Sequence, residues 1–181
     1  MQRETHCHLG GDEVKEDKTS HPPALTKSKG LVFMACVDGS TVSRKSMDVA
    51  LSLLKPDVDK LIMAFVPPLL EVGYTTDNVD LVALETRANE KLRAMVSYES
   101  ARTSHLKDFQ VIIQRATAAS AVKHEIVKLV KANKADFVLV GNRGLGLEDP
   151  STQTALGKDG LGTTALFVAL NSPCNVIIVK R

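Results

Sequence analysis

The sequence predicts an α/β fold, a doubly wound five-stranded parallel sheet with helices on both faces. Two observations lead to this prediction. Five short apolar runs recur along the chain, and several are apolar at every position, as in strands that are covered on both faces. Amphipathic helical patterns separate successive runs, and strands separated by helices form parallel sheets through crossover connections.

Size and composition fit one globular domain and exclude several function classes. The chain has 181 residues, of which 44% are apolar, 24% charged and 4% aromatic, and its net charge is +2. The basic residues form no stripe and are not interleaved with a series of aromatic residues that could stack on bases, so we expect no nucleic-acid partner. No apolar run reaches membrane-spanning length, and the three cysteines form no CxxC pair, so we expect a protein of the reducing cytoplasm with no membrane contact.

The first β-α unit follows a polar segment. Residues 1–29 mix both charge signs without apolar periodicity and are expected to form a disordered or mobile tail, which leaves residues 30–181 as the domain. The run Leu31 to Val37 predicts a central strand. It ends at Asp38-Gly39-Ser40, where Ser40, Thr41 or Ser43 can cap a helix that Pro56 ends.

Two further units follow with the same alternation. The run from Leu61 to Val66 predicts a second buried strand, and a helix is expected from Asp77 to about Ser104. The stretch from Phe109 to Arg115 alternates, as in a strand nearer an edge. A helix from about Ala118 to Asn133 completes this part of the chain.

The last part of the domain contains an unusual glycine-rich stretch. The strand Phe137 to Val140 ends in Gly141-Asn142-Arg143-Gly144, and a second glycine cluster runs through Gly162 into Thr163-Thr164, where a short helix begins. Glycines let a ligand approach the main chain, and the first turn of a helix offers unpaired N–H groups to an anion. The stretch therefore indicates half of a phosphate cradle, or else a flexible surface loop.

The other half of the cradle depends on strand order. In doubly wound sheets, ligands bind beyond the carboxyl ends of strands, where the order reverses. If the first and fourth strands are neighbours, the loop from Asp38 to Ser43 faces the loop from Gly141 to Thr164. Asp38 could then accept from ligand hydroxyls, or it could serve only as an Asx-type cap of the first helix.

The closing strand, Cys174 to Val179, is apolar on both faces yet should occupy a sheet edge. Because a bare apolar edge pairs readily with another chain, we predict a homodimer through Asn175 to Val179. The alternative is that the tail covers this edge.

From Lys29 to Arg181 the chain resembles the universal stress protein family. The resemblance rests on VDGS at Val37 to Ser40, VGNRGLG at Val140 to Gly146, and LGTTALFVALNSPCNVIIV from Leu161. Members that bind ATP carry Gly-x2-Gly-x9-Gly-[Ser/Thr]. Here Gly141 and Gly144 match the opening pair, and Gly162-Thr163 match the closing pair. Seventeen residues separate Gly144 from Gly162 where the pattern has nine, so Glu148 to Asp159 resembles an insertion.

The resemblance implies a module that binds ATP or AMP, with Mg²⁺ held through the phosphates, and acts in stress response or signalling with at most slow hydrolysis. It places Asp38 at the ribose or adenosine and the main chain of Phe65 and Val66, with Val140, beside the adenine. The complete set of implied binding residues is Val37, Asp38, Ser40, Phe65, Val66, Val140, Gly141, Arg143, Gly144, Gly162, Thr163 and Thr164.

Two other functions stay open. Acidic residues of the insertion would repel a triphosphate, which favours a nucleotide-free homodimeric interaction protein of the same fold. An enzyme of the related ATP-pyrophosphatase type would carry a Ser-Gly-Gly loop that VDGSTVS lacks. No Ser-His-Asp or Cys-His arrangement, P-loop or dinucleotide fingerprint is present, so we assign no catalytic or metal-ligating residue.

Overall fold

The computed structural model describes residues 29–67, 81–143 and 161–180, with the backbone alone for residues 81–88. The predicted tail, the start of the second helix at Asp77, Gly144 and the insertion lie outside these ranges. The strands are β1 (Val32–Val37), β2 (Lys60–Phe65), β3 (Asp108–Ile113), β4 (Phe137–Gly141) and β5 (Asn175–Val179). The helices are α1 (Thr41–Leu53), α2 (Leu81–Arg102), α3 (Val122–Ala132) and α4 (Thr163–Asn171).

The five strands form one parallel sheet in the order β3-β2-β1-β4-β5, which confirms the predicted fold. β1 lies at the centre, between β2 and β4, and the order reverses there. Its register pairs Val37 with Phe65 on β2 and Ala35 with Leu139 on β4. β3 and β5 occupy the two edges, as expected; the alternating pattern had indicated this for β3, whereas β5 is at an edge although its sequence is apolar on both faces.

Helices cover both faces because side chains of the strands alternate between them. On one face, Met34, Ile62 and Val138 pack with Ile126 of α3 and Val168 of α4. On the other, a second buried cluster takes its members from strands β1, β2 and β4 and from α1, with side chains of α2 packed against it: Phe33, Ala35, Leu61, Met63, Leu139, Met47, Ala50, Met95 and Val96. The central strands are therefore fully covered.

Several element boundaries differ from the sequence prediction, among them the starts of α3 and β5. The helix expected from Ala118 begins instead as a 3₁₀ turn, Ala119–Ala121, and the α-helix starts at Val122. Neither Ala118 nor Ala121 supplies a capping side chain, so the first turn tightens into 3₁₀ geometry. β5 starts at Asn175, and Cys174 is half-buried beside it.

Candidate functional site

The carboxyl ends of β1 and β4 lie side by side, so the two loops that the sequence singled out face each other. β1 pairs with β4 in parallel, which is the condition on which the predicted crevice depended. Between these loops is a cavity of about 240 Å³, which we call the glycine cavity. Its lining residues are Cys36, Val37, Asp38, Ser43, Ala64, Val66, Val122, Ile126, Val140, Gly141, Asn142, Arg143, Gly162, Thr163, Thr164 and Ala165.

The first loop is a tight turn held by its own side chains. Asp38 Oδ1 accepts from the main-chain N–H of Ser40 at 2.9 Å, and Gly39 has φ 88°, a conformation that favours glycine. Ser40 is fully buried, and its Oγ caps α1 by accepting from Ser43 N at 3.1 Å. Asp38 thus forms an Asx turn just before α1, whereas the cap itself is Ser40, and Asp38 also lines the cavity.

The second loop brings the end of β4 against the start of α4. The N–H of Gly162 donates to the carbonyl of Asn142 at 2.8 Å, so the two ends of the glycine-rich stretch lie next to each other. Gly141 packs closely on α1, since a Cβ there would lie 3.0 Å from Val42 Cγ1. The absence of a side chain at Gly141 therefore has a packing reason that is independent of any ligand.

α4 begins without a capping side chain. Its N-cap is Gly162, which makes no side-chain hydrogen bond to the first turn. Its φ of −61° is one that any residue adopts, so the backbone does not require glycine at this position. The first-turn N–H groups of an α-helix carry a partial positive charge, and Thr163 and Thr164 add hydroxyls beside them. This end of the cavity suits an anion.

Asn142 is a cavity residue that the sequence reasoning missed. Its side chain is 7% exposed, and its Oδ1 accepts no hydrogen bond from the described part of the chain. An unsatisfied buried polar atom costs about 1 to 3 kcal/mol, and native proteins contain few of them. The only signal in the sequence was a polar residue next to the end of a buried strand.

A second cavity, of about 570 Å³, lies on the opposite face of the sheet, between the first loop and α2. We call it the α2 cavity; Asp38 borders both cavities. Its wall includes Phe65, Met95 and the buried Glu99. Burial raises the pKa of Glu99, and the guanidinium of Arg102, 3.2 Å from its carboxylate, opposes that shift.

The structure thus gathers most of the predicted binding residues at one place. Nine line the glycine cavity: Val37, Asp38, Val66, Val140, Gly141, Arg143, Gly162, Thr163 and Thr164. Ser40 is buried as the cap of α1 and lines neither cavity, and Phe65 borders the α2 cavity instead. Gly144 lies outside the described residues.

Cys36 also borders the glycine cavity, but its thiol is a poor nucleophile. Burial, with smaller contributions from Cys174 and Asp38, raises the pKa of Cys36 to about 12. Because the thiolate is the nucleophile, a thiol with this pKa is inert near neutral pH. Across the described ranges, no three His, Cys, Asp or Glu side chains converge as metal ligands, and no helix is long and apolar enough to cross a membrane.

Comparison with known proteins agrees with this architecture. The model of the universal stress protein family matches residues 32–180. Among solved structures, the chain is similar to universal stress protein UspA from Lactobacillus plantarum, with a TM-score of 0.59 and 17% identity over 84% of this chain and 99% of that one. No curated protein sequence matches the chain.

A second solved structure of similar fold comes from Arabidopsis thaliana. It is a universal stress protein family protein with AMP bound, and it matches with a TM-score of 0.56 and 18% identity over 84% of this chain and 92% of that one. A family protein from Burkholderia pseudomallei matches with a TM-score of 0.58 and 15% identity, over 84% of this chain and 97% of that one. At these identities the likeness shows a shared fold.

Proposed function

The chain belongs to the universal stress protein family, and from this premise we propose that it binds an adenine nucleotide, ATP or AMP, in the glycine cavity. It acts as a nucleotide-binding module in stress response or signalling in the cytoplasm, with at most slow hydrolysis. The Arabidopsis protein of similar fold has AMP bound, which supports an adenine nucleotide as the ligand.

The uncapped start of α4 is the observation that carries this proposal. Gly162, the N-cap, has no side chain with which to cap the first turn of α4, and this turn borders a cavity at the point where the strand order reverses. A phosphate fits such a helix start because it accepts several N–H bonds and carries the charge that the helix dipole favours. Thr163, Thr164 and Arg143 add donors at the same place.

The rest of the cavity suits a nucleoside. It extends across the ends of β2, β1 and β4, and two strand spacings amount to about 10 Å. At the β2 side, Val66 lies with Val122 and Ile126 of α3 and offers an apolar wall to a base. Asp38, at the end of β1 between them, is an acceptor for ribose hydroxyls. Val37 and Val140 flank this middle position.

We propose that any Mg²⁺ binds through the phosphates of the nucleotide and not directly to the protein. Mg²⁺ retains several waters and binds through substrate phosphates more often than in an all-protein cage. This mode needs no ready-made group of three metal ligands, and the described residues form none.

Gly162→Val tests the phosphate position. The branched side chain would stand at the N-cap beside the cavity, so the affinity for AMP and ATP should fall more than about 100-fold, while the permitted φ keeps the helix start intact. Isothermal titration calorimetry measures the affinity. Leu170→Val is the matched control, because it introduces the same side chain on the same helix at a position that is 76% exposed.

Gly144→Val, at the second glycine of the family pattern, should have a similar effect. Unchanged affinity in both variants would place the nucleotide elsewhere on the protein. If the wild-type chain gives no heat and no thermal shift with millimolar AMP or ATP·Mg²⁺, the nucleotide proposal fails. The nucleotide-free interaction protein would then be the better description.

We also propose that the protein is a homodimer joined through β5. This strand occupies a sheet edge, and its residues run from an exposed Asn175 through three partly buried positions to a buried Val179. Unpaired main-chain groups at such an edge accept a second strand. On the neighbouring α4, Leu166 and Leu170 are 47% and 76% exposed, which adds apolar area. Sedimentation equilibrium should give twice the monomer mass, and the mass of one chain would contradict the proposal.

A further inference from the structure

Asn142 has a polar side chain that the fold itself leaves unused. Its main-chain N–H donates to Val179 O and its carbonyl accepts from Gly162 N, both at 2.8 Å. These two bonds join the ends of β5 and β4 and the start of α4. The main chain of Asn142 is therefore fully committed to the fold, and only the side-chain amide is available for another role.

The fold gives no reason for an amide at this position. The side chain is more than nine-tenths buried, and its Oδ1 has no hydrogen-bond donor in the described structure. An alanine would keep both main-chain bonds and would remove the unsatisfied atom. A buried polar group that the described chain does not satisfy, and that also borders a cavity, points to a partner outside the chain.

The neighbours of Asn142 indicate what that partner is. The cavity that it lines also contains Arg143, the hydroxyl-bearing Thr163 and the uncapped start of α4. A cation, a hydroxyl and a helix N-terminus all favour an anion. The oxygen and nitrogen of an asparagine amide have nearly the same shape, and a half-turn of the amide exchanges an acceptor for a donor.

We propose that the side-chain amide of Asn142 binds the phosphate of the ligand by donating from Nδ2. The amide then acts with the first turn of α4 as a two-sided clamp on the phosphoryl oxygens, and it favours nucleotides over nucleosides. This inference rests on the proposed nucleotide function and adds a named specificity residue to it.

Asn142→Ala tests the proposal with two measurements that a purely structural role would move differently. The affinity for AMP, measured by calorimetry, should fall about tenfold, as for the loss of one hydrogen bond to a charged group. The affinity for adenosine should change less than twofold. The melting temperature of the ligand-free protein should stay the same or rise, because the unsatisfied atom is gone.

Two variants complete the experiment. Asn142→Asp keeps the size of the side chain and replaces the donor with a negative charge, so the affinity for AMP should fall further, about 100-fold, with adenosine again unaffected. Ser172→Ala is the matched control. It removes another buried, unsatisfied oxygen, at the opposite end of α4, and should leave both affinities unchanged.

Three results would overturn the proposal. They are an unchanged AMP affinity in Asn142→Ala, an equal loss for AMP and adenosine, or a melting temperature that falls by several degrees. A wild-type chain that binds neither AMP nor ATP would instead overturn the proposed function. In that case inorganic phosphate and pyrophosphate serve as probes. Binding that depends on Asn142 would support the clamp, and binding that does not, or no binding at all, would refute it.

Discussion

The sheet has two rims, one where its strands begin (the amino rim) and one where they end (the carboxyl rim). Polar side chains at the two rims differ in whether the protein itself supplies their hydrogen-bond partners. At the amino ends of the strands, Asp59 accepts from Leu31 N at 2.8 Å and from Lys55 N at 2.7 Å, and Asp136 accepts from Val32 N at 2.8 Å. At the carboxyl ends, Asn142 Oδ1 has no donor within the described structure and α4 starts without a side-chain cap. The amino rim satisfies these carboxylates internally, and the carboxyl rim leaves polar groups at the glycine cavity for a partner.

This difference separates residues that maintain the fold from residues that serve a ligand. At the amino rim, the carboxylates of Asp59 and Asp136 accept hydrogen bonds from main-chain N–H groups of the same chain. Doubly wound folds bind ligands at the carboxyl ends of their strands, where the order reverses. Substitutions at the amino rim should therefore change stability without changing ligand affinity, and substitutions of cavity-lining residues at the carboxyl rim should do the reverse.

The largest expected effect is that of Gly30→Ala at the amino rim. A Cβ at this position would lie 1.8 Å from the main-chain oxygen of Val58, and backbone atoms cannot turn aside as a side chain can. We expect the free energy of unfolding to fall by about 3 kcal/mol, the upper part of the range for overpacking. Urea denaturation followed by circular dichroism measures this loss.

The comparison requires that the folded fraction of Gly30→Ala still binds nucleotide with wild-type affinity. Gly162→Val should show the reverse, with little change in unfolding free energy and a large loss of affinity. If both glycine variants lost stability and affinity together, the two rims would not be separable in this way.

A pair of aspartates gives the next largest effect. Asp59→Asn keeps the shape of a buried side chain but turns an N–H₂ group towards one of two main-chain N–H groups, so the unfolding free energy should fall by about 2 kcal/mol. Asp38→Asn retains an oxygen for the bond from Ser40 N, and asparagine forms the same turn, so we expect less than about 0.5 kcal/mol.

The same two variants should also differ in their affinity for AMP, which calorimetry measures. Asp38→Asn should lower the affinity, because a neutral oxygen is a weaker acceptor for ribose hydroxyls. Asp59→Asn should leave the affinity unchanged. A stable Asp38→Asn protein with unaltered affinity would limit Asp38 to its role in the turn.

Much of this architecture could be predicted from the sequence, because local patterns carry it. Continuous apolar runs indicated β1, β2 and β4, and the polar turn after β1 with the glycines after β4 indicated the loops that meet. The faces of the sheet were harder to predict. Phe65 ends β2 and Val66 follows it directly, yet they border different cavities, since neighbouring side chains of an extended chain point to opposite faces.

Asn142 could not be assigned because its importance depends on distant partners. Its bonds to Gly162 and Val179 connect elements far apart in the chain, and its unsatisfied oxygen is visible only after folding. Ser40 is the opposite case, because a local pattern already indicated its structural role. The resemblance implied a binding role, and the sequence also offered Ser40 as a cap of α1; the structure shows its hydroxyl buried in that cap.

Ser40→Ala tests the structural role of Ser40, and its expected effect on stability is of intermediate size. The loss of an N-cap hydroxyl typically costs about 1 kcal/mol, so the unfolding free energy should fall by this amount. The AMP affinity of the folded protein should change less than twofold, since Ser40 lines neither cavity. Ser52→Ala, which removes an exposed hydroxyl of the same helix, is the control for stability. A tenfold loss of affinity in Ser40→Ala would restore the binding role.

The smallest effect near neutral pH concerns Cys36, whose raised pKa should influence stability only above about pH 9. The ordinary pKa of this thiol, which applies in the unfolded chain, is 9.0, and burial raises it to about 12 in the folded protein. Between these values only the unfolded state loses the proton, so the unfolding free energy should decrease with rising pH, by at most about 1.4 kcal/mol per pH unit. Cys36→Ala should remove this part of the alkaline slope.

Thiol labelling distinguishes the two cysteines of the described structure at lower pH. With iodoacetamide at pH 8, Cys174 should be alkylated, because it is half-buried at the start of β5. Cys36 should remain unmodified although it lines the glycine cavity, since its thiolate is scarce. Peptide mass spectrometry measures both rates. If Cys36 reacted as fast as Cys174, the carboxyl rim would open to solvent more widely than the structure shows, and AMP should then slow that reaction.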